Sequence, residues 1–163
     1  MSDLHRACLS LGSNIGAEKN LPKAVELLRE VGEVVSISSV WESKSVGFDG
    51  PNFLNACAVF LTPLQPDEFK EKIIRPIEAN LGRIRSSEKN APRTIDIDIV
   101  LFDKHPLNTD FWEYAFVTVP LAELIPDFEH PVRREKLSEV AGQLQGQVWI
   151  VKREDVVLSS RID

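Results

Sequence analysis

Apolar residues recur with two different periods along this chain, and the changes of period mark out its elements. Ala7 to Leu11 (ACLSL) is a short, mostly apolar strand closed by the turn residues Gly12-Ser13-Asn14. Leu21, Val25, Leu28 and Val31 then return at helical spacing. Asn20 stands where a cap belongs for a helix from about Leu21, with Pro22 near its start and Gly32 ending it. Glu33 to Trp41 (EVVSISSVW) alternates and is rich in β-branched residues, which predicts a second strand. Glu42 to Asn52 is a loop by its Gly, Pro, Asp and Ser content, and Phe53 to Thr62 is a third strand. Pro63 to Asp67 opens another helix through about Asn80, with Phe69, Ile73, Ile77 and Leu81 as its buried stripe. Pro76 should kink or divide that helix.

The next strand, TIDIDIVLF, alternates sharply. Residues two apart on a strand share a face, so Asp96 and Asp98 project together while Ile95, Ile97, Ile99 and Leu101 line the other side. Beyond Asp103 the pattern thins. Lys104 to Asp110 is a loop, Phe111 to Val119 is aromatic-rich, and Pro120 to Ile125 forms a helical turn. Arg134 to Leu144 is a short helix and Gln147 to Lys152 a closing strand. Strand–helix–strand repeated twice, with short connections, predicts an α+β fold of the ferredoxin-like βαβ-βαβ type. Such a sandwich has an antiparallel sheet with helices on one face, and its open face is free for ligands. There is no repeat, low-complexity stretch or linker, so residues 1–163 are expected to form a single domain.

Composition narrows the function. An apolar fraction of 43% with 27% charged residues belongs to a soluble globular protein. The net charge of −6 argues against a general nucleic-acid surface, so any polyanion must meet a local basic cluster. Cys8 and Cys57 lie inside apolar runs, as buried thiols of a reducing compartment do. No apolar run reaches the length of a membrane span, and the N-terminus lacks the order of a secretory signal. A cytoplasmic location is expected.

The chemistry concentrates in Gly82 to Asp103, GRIRSSEKNAPRTIDIDIVLFD, where Arg83, Arg85 and Arg93 precede the two aspartates. Two carboxylates on one face are costly unless a positive charge compensates them. Mg²⁺ suits oxygen ligands and takes the rest of its shell from phosphates and water, and arginine forks suit those phosphates. The pattern thus points to a magnesium-bound polyphosphate. The alternative for the aspartates is a solvated face paired to the arginines. Asn55 has two readings as well, an edge position facing water or a donor–acceptor pair that orients a heterocycle. Glu78, near a helix C-terminus, reads by default as a solvated acid.

LSLGSNIG, FLNA, IEANLGRIR and PRTIDIDIVLFD, followed by FVTVPLAELIPDFEHP, together resemble the 6-hydroxymethyl-7,8-dihydropterin pyrophosphokinase family. The resemblance implies an ATP-dependent diphosphotransferase of folate biosynthesis, transferring a diphosphate to the pterin hydroxymethyl oxygen and releasing AMP. It implies that Asp96 and Asp98 hold two Mg²⁺ ions on ATP. Arg83 and Arg93 match catalytic-loop arginines that act on the triphosphate; Glu78, Arg85 and Lys89 fall in the nucleotide site. Asn55 matches the amide that reads the pterin edge, and Phe53 and Phe116 the two rings of a pterin sandwich. Ser43 and Val46 lie in the segment that makes backbone contacts to the pterin. A monomer is implied, with ATP and a dihydropterin as its partners and neither nucleic acid nor membrane. The interval before Phe116, KHPLNTDFWEYA, lacks the family's Val-Pro-His motif and has Tyr114 about where an arginine stands. That departure motivates a second reading, a pterin- or nucleotide-binding paralogue with impaired or altered chemistry.

Overall fold

The computed structural model describes residues 3–45, 50–83, 94–107, 109–131 and 134–158. Its elements in chain order are β1 (His5–Ser13), α1 (Ala17–Val31), β2 (Glu33–Ile37), β3 (Trp41–Ser43) and β4 (Phe53–Thr62). There follow α2 (Pro66–Phe69), a π-helical turn (Lys70–Ile74), α3 (Arg75–Asn80), β5 (Asp96–Phe102) and β6 (His105–Pro106). A 3₁₀ turn (Thr109–Glu113), α4 (Ala115–Leu124), α5 (Leu137–Gln145) and β7 (Ile150–Lys152) complete the described chain. The sheet runs β6-β5-β1-β4-β3-β7, with β2 also paired to β4, and every pair is antiparallel. This is the α+β antiparallel arrangement anticipated from the pattern.

One face carries the larger core. Ala7, Leu9 and Leu11 of β1 and Leu54, Ala56, Ala58 and Phe60 of β4 meet Leu21, Val25 and Leu28 of α1 and Ile74 and Ile77 of the second helical unit, the run α2–π turn–α3 (Pro66–Asn80). The other face is not wholly open. α4 and α5 cover one end of it, where Cys8, Cys57, Val59 and Val100 pack against Val117, Leu121, Leu137 and Val140. The one-sided placement of helices is thereby amended, and ligand access is confined to the uncovered end. Both cysteines are free and buried, and burial raises the Cys8 thiol to about 11.

Several local details differ from expectation for identifiable reasons. α1 begins at Ala17, after Gly16 in the left-handed conformation, so Asn20 lies within its first turn and donates to Ile15 O at 2.6 Å. The strand expected over 33–41 divides at Ser38, whose hydroxyl accepts from Cys57 N at 2.9 Å while its own N–H donates to Cys57 O at 2.9 Å. Val100 is the extra residue of a β-bulge, because Cys8 pairs with Leu101 but Leu9 with Ile99. The bulge inverts the alternation, and Leu101 joins the second core instead of following Ile99 into the first.

Pro76 does break the helical regularity, and it does so through the π turn. Arg75 N–H reaches back to Lys70 O, a wider ring than an α-helix closes, and Pro76 has no N–H to place next. The extra residue advances the buried stripe by one. Ile74, not Ile73, becomes fully buried after Phe69, and Glu78 turns inward beside Ile77.

Candidate active site

Three adjacent strands set out the site in one row. Gly12 of β1 pairs with Asn55 on β4 and with Asp96 on β5; Ser10, two residues back, pairs with Cys57 and Asp98. With strands about 4.8 Å apart, the backbone of Asn55 and that of Asp96 stand roughly 10 Å from each other across Gly12. Both side chains project to the half-open face. A cleft of about 690 Å³ lies there, lined by Asp96, Asp98, Asn55, Phe53, Phe116 and Ser43 among others. Gly12 keeps the row passable: a Cβ at that position would lie 3.3 Å from Asn55 Oδ1 and 3.7 Å from Phe53 Cδ1.

At the amide end, Asn55 is only 3% exposed, which removes the water-facing reading. Its Nδ2 donates to Ser43 Oγ at 2.8 Å and to Trp41 O at 3.2 Å, so both donors are held by β3. Phe116 enters from the first turn of α4 and stacks on Tyr114 with centroids 5.2 Å apart. The segments flanking this end are tied through Pro51 O, which accepts from Asn14 Nδ2 at 3.4 Å and from Ser45 Oγ.

At the acidic end, Glu78 is not the solvated acid of the default reading; it is 3% exposed. α3 ends in a Schellman motif, with Gly82 N donating to Ala79 O and Arg83 N to Glu78 O, both at 3.0 Å. Gly82 supplies the positive φ of 82° that this ending requires. The motif folds Arg83 back over α3. Its Nη1 donates to Glu78 Oε2 at 2.8 Å and to Asp96 Oδ1 at 2.9 Å, and Glu78 Oε2 also accepts from Ile97 N at 3.1 Å. A buried carboxylate, a guanidinium and a cleft carboxylate thus form one chain, and each compensates the next.

The cleft gathers Ser43, Phe53, Asn55, Asp96, Asp98 and Phe116, with Glu78 and Arg83 directly behind Asp96. Val46, Arg85, Lys89 and Arg93 lie outside the described residues. Gly12 and Tyr114 also line the cleft, as does Lys44 from within the Ser43–Gly47 segment expected beside the pterin. In the sequence Gly12 reads only as turn chemistry. Asp67 and Lys70 of the second helical unit also border the cleft, and nothing in their local pattern signals it.

The donor set fits a hard divalent cation. Asp96 and Asp98 present carboxylate oxygens on one side of β5, and no cluster of three or more metal-ligating side chains exists among the described residues. The chain would supply two carboxylates and leave the remaining positions to phosphate and water oxygens, which is the habit of Mg²⁺. No helix among the described residues is long and apolar enough to cross a membrane.

The fold and site are those of a small α+β enzyme with paired carboxylates at one end of a cleft and an aromatic, amide-bearing pocket at the other. The model of the 7,8-dihydro-6-hydroxymethylpterin-pyrophosphokinase family matches residues 8–126, and the chain belongs to that family. A 2-amino-4-hydroxy-6-hydroxymethyldihydropteridine pyrophosphokinase of Aquifex aeolicus is 38% identical over 141 residues, covering 80% of this chain and 87% of the relative. The Bacillus subtilis protein of the same name is 36% identical over 155 residues, covering 88% and 89%. A solved Plasmodium falciparum HPPK-DHPS structure shares the fold with a TM-score of 0.69 at 14% identity, over 90% of this chain and 45% of that longer one.

Proposed function

We propose that this chain transfers a diphosphate from ATP to 6-hydroxymethyl-7,8-dihydropterin, releasing AMP, in folate biosynthesis. The observation that supports the assignment of residues is the row Asn55–Gly12–Asp96, with the Asn55 amide and the Asp96–Asp98 carboxylates toward opposite ends of one cleft.

The pterin ring lies between Phe53 and Phe116, where offset stacking supplies affinity. The Asn55 amide, fixed by Ser43 and Trp41, reads the edge of the ring. The hydroxymethyl group then points along the row toward Asp96 and Asp98. These two carboxylates would hold the Mg²⁺ carried by the nucleotide, with two ions as the family resemblance implies. When bound, the metal neutralises phosphate oxygens and eases loss of the hydroxyl proton. Attack by the hydroxymethyl oxygen on the β-phosphorus breaks the bond to the α-phosphate oxygen, and AMP departs. Placing the two reactants in line is the main contribution of the chain, since the transition state asks for positioning and charge compensation. Arg83, held in the Glu78–Asp96 chain, positions Asp96 and reaches the phosphates only by leaving it. Arg93, Arg85 and Lys89 complete the nucleotide side, and Ser43 and Val46 the pterin side, in a monomeric enzyme.

Replacing Asp96 or Asp98 by Ala is expected to abolish turnover while the pterin still binds. Turnover at the wild-type rate in either variant would remove the metal assignment. Beyond the missing Val-Pro-His motif, no observation favours a paralogue with impaired or altered chemistry.

A further inference from the structure

The family match ends at residue 126, yet the chain beyond it reaches the amide end of the cleft from behind. β7 pairs with β3, setting Ile150 opposite Ser43 and Val151 opposite Glu42. Just past it, Arg153 N donates to Val40 O at 2.8 Å, and its guanidinium spreads over three carboxylates. Nη1 donates to Glu42 Oε1 at 2.9 Å; Nη2 donates to Glu18 Oε2 at 2.7 Å and Asp155 Oδ2 at 2.8 Å; Nε donates to Asp155 Oδ1 at 2.8 Å. The second oxygen of Glu42 accepts from Asn52 Nδ2 at 2.8 Å.

Three of these groups, Glu42, Asn52 and Glu18, border a cleft segment. Glu42 precedes Ser43, Asn52 precedes Phe53, and Glu18 lies in the first turn of α1, a few residues past the Gly12-bearing end of β1. Arg153 and Glu42 are both mostly covered, with 24% and 22% of their side chains exposed, so the pair is not an ordinary surface bridge. The planar fork meets three acids in fixed directions, which a lysine cannot do. From the same C-terminal stretch, Lys152 lies over the Trp41 ring at 5.4 Å, and Lys44, a cleft residue, lies over Trp149 at 5.8 Å.

We infer that Arg153 is a positioning residue for pterin binding: through Glu42 and Asn52 it fixes the backbone that presents Ser43 and Phe53 to the cleft. The inference rests on the pterin occupying the Phe53–Asn55 end, as proposed above. A pin serving stability alone would lower the melting temperature and leave the substrates' affinities in their original ratio. A positioning residue weakens the pterin and spares the nucleotide.

The experiment measures the affinity of 6-hydroxymethylpterin in the presence of Mg²⁺ and a non-hydrolysable ATP analogue, and separately the affinity of that analogue. Arg153→Ala is expected to weaken the pterin about tenfold and to leave the analogue within about twofold. Arg153→Lys should recover only part of that loss. Glu42→Gln is the second route, needed if the arginine variant does not fold, and should also weaken the pterin selectively. Asn55→Ala reports on the underlying site. Pterin lost in Asn55→Ala but unchanged in folded Arg153→Ala or Glu42→Gln overturns the positioning role alone. Pterin retained in Asn55→Ala removes the site reading, and the role of Arg153 with it.

Discussion

Arg83 and Asp96 are joined through a single nitrogen, Nη1, which lies 2.9 Å from Asp96 Oδ1 and 2.8 Å from Glu78 Oε2. The contact shows how a cleft carboxylate is aimed by the chain's own guanidinium. It also shows what is at stake in Glu78, which accepts from Ile97 N as well and so fastens α3 to the start of β5.

Glu78→Ala leaves a largely buried guanidinium with one carboxylate fewer and strips an acceptor from Ile97 N. Removing one partner of such a pair is expected to cost about 3 kcal/mol. Denaturant unfolding checks this: the midpoint should fall with an unchanged slope. A midpoint equal to that of the wild type would mean that the Glu78–Arg83 contact carries no stability.

Gly12→Ala tests how tightly the row is built. The new Cβ would lie 3.3 Å from Asn55 Oδ1, closer than side chains ordinarily settle, so the amide or β1 must shift. Pterin KM should rise several-fold or more, on the order of tenfold, with a smaller change for ATP. Equal KM values for both substrates in variant and wild type would show that the Gly12–Asn55 approach has slack.

Cys57 and Cys8 should resist thiol reagents in the folded protein. Burial raises both thiols, Cys8 to about 11, so little thiolate forms near neutrality and reagent access is poor. Labelling at pH 8 should be slow under native conditions and rapid in denaturant. Fast native labelling of both thiols would contradict the packing of α4 over β4.

Glu42 sets a pH dependence. The Asn52 hydrogen bond, and after it Arg153, holds the Glu42 carboxyl below its ordinary value of 4.5. A carboxyl lowered in the folded state contributes stability above its unfolded pKa and loses it as the pH falls through the folded one. The stability gap between wild type and Glu42→Gln should therefore be constant near neutrality and shrink below about pH 4.5. Thermal unfolding across pH 3 to 7 reads it; a gap that widens on acidification would reverse the assigned sign.

Much of this architecture was legible because the signals were local. Phe53–Thr62 appears with the bounds that its composition suggested, and Asp96 and Asp98 share a face because a strand alternates. The turn after Leu11 gave away the end of β1 to within two residues. What escaped depends on partners distant in the chain. The π turn at Lys70–Ile74 advances the buried stripe, and with it Glu78 is turned inward; period counting assumes an unbroken α-helix. The Val100 bulge is defined by pairing with β1, and inverts Leu101 for the same reason. α4 is apolar on nearly all sides and is closed over by α5 and the sheet, so it shows no stripe and read as an aromatic run and a turn. The reach of Arg153 to Glu42, across 111 positions, has no local signature at all.

The most direct measurement is of AMP released from ATP in the presence of 6-hydroxymethyl-7,8-dihydropterin, with and without Mg²⁺, in wild type and in Asp96→Ala. The account predicts one AMP for each pterin consumed, dependent on Mg²⁺ and absent from the variant. ADP as the nucleotide product, or AMP formation that survives the loss of Asp96, would contradict it.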